Sequence, residues 1–220
     1  MRLRQRLLAE FVGTALLLAT VVGSGIMGVN LAGGNDGLAL LANAAATAGM
    51  LYVLIALLSP ISGAHLNPAV TLAMRLRGEL GTTEACAYIA VQIVAAVAGV
   101  LLAHAMFDLP LWQPGLRERG GSGQWLSEAV ATFGLLLTIL LGTRHRPAAM
   151  PALVAGYIFA AYWFTASTSF ANPAVTLARA LTQSFAGIRP EDVGGFVLAQ
   201  LMGAALALWI APKLRMQTAD

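Results

Sequence analysis

The sequence predicts an all-α membrane protein with six transmembrane helices and two half-helices, arranged as an inverted internal repeat. Hydrophobic residues make up 58% of the 220 residues and charged residues only 10%. The apolar stretches run close to twenty residues, which is the length that crosses a bilayer as a helix. The heptapeptide Asn-Pro-Ala-Val-Thr-Leu-Ala occurs twice, as residues 67–73 and 172–178, so the chain contains a duplication.

The spanning helices follow the same order in both halves. Each half has a Glu-containing helix, a second helix, an Asn-Pro-Ala segment and a Gln-containing helix. The first span follows a basic start and could be mistaken for a cleaved signal, but Glu10 lies within it and the same kind of helix recurs around Glu128. We expect spans at residues 7–29, 38–58, 83–107, 125–143, 148–166 and 192–212.

Each heptapeptide has the residues of a helix start. The Asn side-chain oxygen can cap the helix, and Pro at the first helical position loses an amide hydrogen that would have no partner there. Only short helix-compatible segments follow, residues 67–77 and 172–182. Each is roughly 15 Å long at 1.5 Å per residue, against a hydrocarbon core of ~30 Å. The sequence therefore predicts two half-helices that reach the midplane.

The two repeats are predicted to enter the membrane in opposite orientations. The first repeat covers residues 1–107, a loop rich in Gly and Pro covers 108–124, and the second repeat covers 125–220. Three spans per repeat is an odd number, which inverts the second repeat. The positive-inside rule predicts that both termini lie in the cytoplasm and that the chain resides in the cell (inner) membrane. On the predicted cytoplasmic side lie Arg2, Arg4, Arg6, Arg75, Arg77, Arg144, Arg146, Lys213 and Arg215, and on the other side Arg117, Arg119, Arg179 and Arg189.

The half-helices predict a pathway through the membrane. Backbone groups at a helix end are tolerated at the midplane only where they are buried in protein or line a wet cavity. Both helices would present their positive amino ends there, which opposes cations, while the amides of Asn67 and Asn172 supply hydrogen-bond donors. Such a site suits water and small neutral solutes.

Five polar side chains in the apolar segments have two interpretations each. Glu10 and Glu128 could couple transport to protons, but their duplication favours a structural role in which they accept from backbone amides of the loops. Gln92 and Gln200 could be ligands of the solute, but they are interpreted as braces of the same loops. His65 could be a pH-sensitive gate or, more commonly, a hydrogen-bonding residue of the loop.

Other functional classes find no support in the sequence. Nothing resembles a catalytic triad, a phosphate-binding loop or a metal cluster, and His104 and His145 have no suitably spaced partners. We therefore predict that the chain is not an enzyme and has no cofactor and no metal site. The basic residues serve membrane anchoring, so no nucleic-acid partner is expected.

These motifs carry a family resemblance. With the two Glu-led helices, Ser-Gly-Ala-His-Leu-Asn-Pro-Ala-Val at residues 62–70, and the second Asn-Pro-Ala, the chain resembles the aquaporin or major intrinsic protein family over nearly its full length. The resemblance implies an aquaporin-like bundle, one pore per subunit and a homotetramer. It also implies a pore constriction formed by the two motifs, namely Asn67, Pro68, Ala69, Asn172, Pro173 and Ala174.

The resemblance further implies a second constriction, the aromatic/arginine filter. Most members have Arg directly after the second motif, where this chain has Val175. Counting from the two Asn residues puts the other filter positions at Thr47, Ala160 and Ser169, all small or neutral, which predicts a wide and uncharged opening. Arg179, further along the half-helix, is expected near the outer mouth. The pattern resembles a bacterial branch of the family that has this Val, and the resemblance implies passage of neutral metalloid hydroxides such as arsenous acid. The residues themselves fit glycerol-like polyols or urea-sized solutes equally.

Three hypotheses follow. A passive channel for water and small uncharged solutes is favoured. A secondary transporter also has inverted repeats and broken helices, but it would need a site for a coupling ion. A non-conducting structural membrane protein is the third.

Overall fold

The computed structural model describes residues 1–214, which are all-helical, as predicted. Six helices are long and apolar enough to cross a membrane, and two short ones begin at the repeated motifs. The last basic residue used to predict the topology, Arg215, lies outside the described residues. In chain order the helices are α1 (Leu3–Leu31), α2 (Asp36–Ser62), α3 (Pro68–Leu76), α4 (Thr82–Met106), α5 (Ser122–His145), α6 (Met150–Phe164), α7 (Pro173–Arg179) and α8 (Pro190–Ile210), with 3₁₀ turns at Pro147–Ala149 and Ala211–Leu214.

Most predicted boundaries agree with the structure to within a few residues, but the prediction for the second half-helix was wrong at its end. It was expected to continue to residue 182, whereas α7 ends at Arg179. The carbonyl oxygen of Arg179 accepts from the amide of Ile188, at 3.2 Å, and that of Ala180 accepts from the amide of Gly115, at 2.7 Å. These carbonyls are therefore bonded to other segments and not to a further helical turn.

The helices pack in two related sets. In the first repeat α1 packs against α2 and α4, in the second α5 packs against α6 and α8, and α2 meets α6 between the repeats. Small residues allow the closest approaches, because a Cβ at Gly99 would overlap the carbonyl oxygen of Ala15 and one at Gly203 would overlap that of Ala129. Larger residues at either glycine would push a helix pair apart.

The two half-helices enter the bundle from opposite ends and contact each other, and both pack against α4 and α8. The amino end of α1 and the carboxyl ends of α3 and α8 lie at one end of the bundle, here called the terminal end. The carboxyl end of α7 and the connection between the repeats lie at the other, here called the loop end. The connection folds onto the residues after α7, since Gln113 donates to the carbonyl of Leu181 and Arg189 donates to that of Arg117.

Candidate functional site

The loops that lead into the half-helices have an unusual backbone. Ala64 and Leu66 before α3, and Ser169 and Ala171 before α7, all have φ between 49° and 52°. A non-glycine residue in this left-handed region costs on the order of 1–3 kcal/mol. The first loop has two such residues and the second has three, since Thr168 has a φ of 60°, so both loops need hydrogen bonds from outside to hold their shape.

Glu10 supplies these hydrogen bonds to the first loop. Its side chain is fully buried. One carboxylate oxygen accepts from the Ser62 hydroxyl at 2.7 Å and the His65 amide at 3.0 Å, and the other accepts from the Leu66 amide at 2.7 Å and the Gln92 side chain at 2.8 Å. These are the contacts that the loop-bracing interpretation requires.

Glu128 does the same for the second loop. Its oxygens accept from the backbone amides of Phe170 and Ala171, both at 2.8 Å, and from the side-chain amide of Gln200 at 2.6 Å. Gln200 also donates to the Thr176 hydroxyl at 2.8 Å. Both buried carboxylates therefore have their oxygens occupied by donors from the protein itself.

His65 takes part in the first loop and also lines the central cavity. Its Nδ1 lies 3.1 Å from the hydroxyl of Thr71, on the first turn of α3, and its ring meets that of Tyr88 edge-on. These contacts match the interpretation of His65 as a hydrogen-bonding loop residue. The gate interpretation remains a hypothesis.

The two Asn residues tie the repeats together at the midplane. The Oδ1 atom of each accepts from backbone amides in the first turn of its own half-helix. The Nδ2 of Asn67 donates to the carbonyl of Ala171, and the Nδ2 of Asn172 donates to the carbonyl of Leu66, each at 2.8 Å. Each Asn thus caps its own helix, holds the loop of the other repeat, and keeps one amide hydrogen free of these contacts.

A cavity of about 550 Å³ runs along both half-helices and past both Asn side chains. Its walls are mostly apolar, so the few polar groups along it fix where a solute can form hydrogen bonds. The terminal end is lined by His65, Met74, Glu79 and Thr143, and the loop end by Thr47, Tyr162, Ser169, Phe170, Val175 and Arg179.

Three of the four predicted filter residues line this cavity, namely Thr47, Ser169 and Val175, but the prediction for Ala160 was wrong in position. Ala160 is exposed on the outside of the bundle. Helix α6 faces the cavity with Val154, Ile158 and Tyr162, which are four residues apart. Ala160 lies two residues from Ile158 and from Tyr162, roughly 200° around the helix axis, and so points away.

Tyr162 was missed by the sequence analysis. Its side chain is only 3% exposed, and its hydroxyl lies 3.2 Å from the hydroxyl of Thr47 across the loop end. The four-residue spacing with Ile158 and Val154 is the signal that could have identified it.

Arg179 is also placed differently from the expectation. It was expected near the outer mouth, but its side chain is only 2% exposed and lines the cavity. Its Nε donates to the carbonyl of Ala186, and its Cζ lies 3.3 Å from the ring centroid of Phe170. The guanidinium therefore belongs to the wall of the cavity.

A second guanidinium, that of Arg119, packs near Phe170 of this wall. Arg119, in the connection between the repeats, donates to the carbonyls of Gly187 and Ser167 and lies 4.8 Å from the Phe170 ring centroid. Burial lowers the pKa of Arg119, and the neighbouring positive charge of Arg179 adds to this effect. No sequence pattern pointed to these contacts.

Comparisons with known proteins agree with this architecture. Residues 1–166 match the model of the family described as major intrinsic protein. The chain is 55% identical to aquaglyceroporin AqpS of Rhizobium meliloti (strain 1021) over 206 residues, which cover 94% of this chain and 88% of that protein. It is 33% identical to the probable aquaporin PIP2-8 of Arabidopsis thaliana over 137 residues, which cover 62% of this chain and 48% of that one.

The structural comparison concerns the fold alone. The X-ray structure of the aquaglyceroporin from Plasmodium falciparum superposes with a TM-score of 0.76, covering 97% of each chain at 16% sequence identity. The family assignment rests on the match over residues 1–166 and on the 55% identity. The chain belongs to the major intrinsic protein family.

Proposed function

We propose that this protein is a passive channel for water and for small uncharged solutes wider than water, such as glycerol-like polyols or metalloid hydroxides. Family membership and the 55% identity to an aquaglyceroporin support a channel for water and small solutes. The observation that favours the wider solutes is Val175, a small apolar residue where most members of the family have Arg, on the wall of a continuous cavity.

The side-chain amides of Asn67 and Asn172 supply hydrogen bonds to a passing solute at the midplane. Each Asn directs a hydrogen-bond donor to the cavity while its oxygen is held by the helix that it caps. A hydroxyl oxygen of a neutral solute accepts there as it passes, and apolar walls on the other sides avoid tight binding. A cation meets the positive amino ends of α3 and α7 and loses its hydration shell without compensation.

The transporter hypothesis is less well supported. It needs an ionisable site that binds a coupling ion, and the membrane-buried carboxylates Glu10 and Glu128 have their oxygens bonded to loop amides and side chains of the protein. A carboxylate occupied in this way has little capacity left for an ion. The bracing role of the two residues is part of this proposal.

We also propose that both termini face the cytoplasm, that the channel resides in the inner membrane, and that four copies assemble into a homotetramer with one pore each. Six spans put both ends of the chain on the same side, and the basic residues concentrate there. Reporter fusions at the two termini test the topology, and a periplasmic signal from either one would contradict it. Cross-linking in native membranes tests the tetramer.

Stopped-flow light scattering on proteoliposomes is the experiment that tests the channel. We expect water, glycerol and arsenous acid to enter faster than in protein-free vesicles, and to equilibrate without accumulating. Accumulation of a solute against its gradient would favour the transporter. Entry at the protein-free rate for all three solutes would favour the non-conducting structural protein.

A further inference from the structure

The two half-helices have identical cavity-lining residues until their last turns. Position n of the first repeat corresponds to position n + 105 of the second, so Val70 corresponds to Val175, and all four residues discussed here line the cavity. One turn further out, Met74 lies at the terminal end and Arg179 at the loop end. A charge therefore stands at one end of the cavity where the symmetry-related position is uncharged.

The Arg179 guanidinium has donors to spare. Among residues 1–214 its hydrogen bond is the one from Nε to the carbonyl of Ala186. The two Nη nitrogens have no partner in that part of the protein, although the side chain is 98% removed from solvent. A guanidinium with unpaired donors in an apolar wall is costly unless the cavity supplies acceptors. Water or a solute oxygen in the cavity is the available acceptor.

The orientation of these donors is fixed by their surroundings. Phe170 lies against the guanidinium plane at 3.3 Å, and the Nε bond sets its rotation. Arg119 in turn holds the backbone of the loop that carries Phe170, through the carbonyl of Ser167. A planar fork held in this way is prepared to bind oxygen atoms without further ordering.

Arg179 lies close to Val175 along the cavity wall. It follows Val175 by four residues on the same face of α7, which places it about 6 Å further toward the loop end. Tyr162 lines the same end from α6. An aromatic side chain and a guanidinium are thus both present, from positions other than those at which the filter was expected.

We propose that Arg179 determines the specificity of this channel at the loop end: its Nη donors orient the hydroxyl oxygens of neutral polyhydroxy solutes, and its charge repels monovalent cations. The inference rests on the proposed channel function. It also accounts for how a channel with Val175 can be wide and still reject cations, because the Arg179 guanidinium lies one helical turn beyond Val175.

Three variants test this. Arg179→Gln removes the charge, Arg179→Lys keeps the charge but removes the planar fork, and Leu177→Gln changes an exposed position of the same half-helix. Purified proteins are reconstituted into vesicles, and sodium influx, glycerol entry and water entry are measured. We expect Arg179→Gln to raise sodium influx roughly tenfold, because a fixed charge in a low-dielectric wall is a major part of a cation barrier.

The other two variants separate charge from geometry. Arg179→Lys should keep sodium influx near the wild-type rate while glycerol entry relative to water falls about threefold, since an ammonium cannot replace the two-pronged donor. Leu177→Gln should match the wild type in all three measurements.

Several results would overturn the inference. Unchanged sodium influx in folded Arg179→Gln, or an unchanged ratio of glycerol to water entry in Arg179→Lys, each contradicts it. If Arg179→Gln does not fold, the Arg179→Lys ratio decides alone. If the wild-type protein itself passes neither water nor glycerol, the proposed channel function fails, which is a different outcome from a conducting protein whose Arg179 variants behave like the wild type.

Discussion

The two half-helix units share their central hydrogen-bond pattern but differ in loop side chains and at their outer turns. In both units a buried Glu accepts from two consecutive loop amides, a Gln bridges that Glu to a Thr of the half-helix, and an Asn caps the helix and holds the opposite loop. Beyond this shared centre, His65 and Met74 of the first unit correspond to Phe170 and Arg179 of the second. The loop side chains therefore differ as well as the last turns, while the hydrogen-bond pattern at the centre is the same in both units.

This distribution separates two tasks. The midplane must satisfy the same backbone groups from both sides, so the two units need the same side chains there. The ends face different surroundings: the connection between the repeats covers the carboxyl end of α7, whereas a short exposed link follows α3. We infer that the residues shared by the two units form the centre of the cavity. Arg179, which has no charged counterpart in the first unit, would then make the loop end selective.

The largest effect is expected from the shared bracing. Glu10→Gln and Glu128→Gln keep the shape of the side chain but replace one accepting oxygen by an NH2 group, which cannot accept a hydrogen bond. Each buried loop amide that loses its acceptor costs about 1–3 kcal/mol. Glu10 accepts four hydrogen bonds and Glu128 three, so Glu10→Gln should be the more destabilising. Thermal unfolding in detergent, followed by size-exclusion chromatography, measures the loss.

Glu84→Gln is the matched control for this pair. Glu84 forms an ion pair with Arg6 at the partly exposed end of α4. Loss of such a pair typically costs under about 1 kcal/mol. If Glu84→Gln lowers the unfolding temperature as much as the two buried changes, the bracing is not what holds the loops.

The next effect concerns Val175, at which the resemblance implied a filter Arg that this chain lacks. Val175→Arg introduces a bulky cation at the constriction, so we expect glycerol and arsenous acid entry to fall at least about tenfold, while water entry falls far less because single-file water needs less room. Val175→Leu adds bulk without charge and should have a smaller effect. An unchanged ratio of solute to water entry in Val175→Arg means that Val175 does not line the constriction.

A smaller effect is expected when the midplane charge is altered. Asn67→Asp or Asn172→Asp places a carboxylate against the positive helix ends, so sodium and proton leak should rise severalfold in proteoliposomes. Arg179 remains in series as a separate barrier, so the double variant Asn172→Asp with Arg179→Gln should leak more than either single variant. Equal leak in the wild type and folded single variants would remove the midplane from the barrier.

The smallest effect is expected from changes in the cavity wall opposite α7, at the contact between Thr47 and Tyr162. Thr47→Ala removes the contact with the Tyr162 hydroxyl, worth about 1 kcal/mol, and we expect the ratio of glycerol to water entry to change less than about threefold. Ala160→Leu, on the exposed face of the same helix as Tyr162, should leave this ratio unchanged. A strong shift in Ala160→Leu would restore Ala160 as a filter residue.

Much of the fold could be predicted because hydrophobic length, the duplicated heptapeptide and helix-capping residues are local signals. The six spans, the two half-helices and the hydrogen bonds of the paired Glu residues to the loops follow from such signals and from the repetition itself. The end of α7 could not be predicted, since tertiary bonds to the carbonyls of Arg179 and Ala180 stop the helix where its propensity does not.

The residues that line the cavity were harder to predict from the sequence than the helices. Ala160 was assigned by counting back along the chain, whereas the face of α6 decides which side chains reach the cavity, and that face carries Tyr162. The orientation of Arg179 depends on Phe170 and Arg119, which come from two separate loops. Contacts between distant segments leave no periodic trace in the sequence.

The exchange of hydrogen bonds at the midplane has a consequence for biosynthesis. The carbonyl of Leu66 is satisfied by Asn172, which is made 106 residues later. At translation rates of roughly 5–20 residues per second, the first loop waits on the order of 5–20 seconds for its partner. During that interval the nascent first repeat holds an open polar site inside the membrane. The central pair of hydrogen bonds between the repeats can therefore form only after Asn172 and α7 have entered the bundle, whatever the order in which the spans themselves enter.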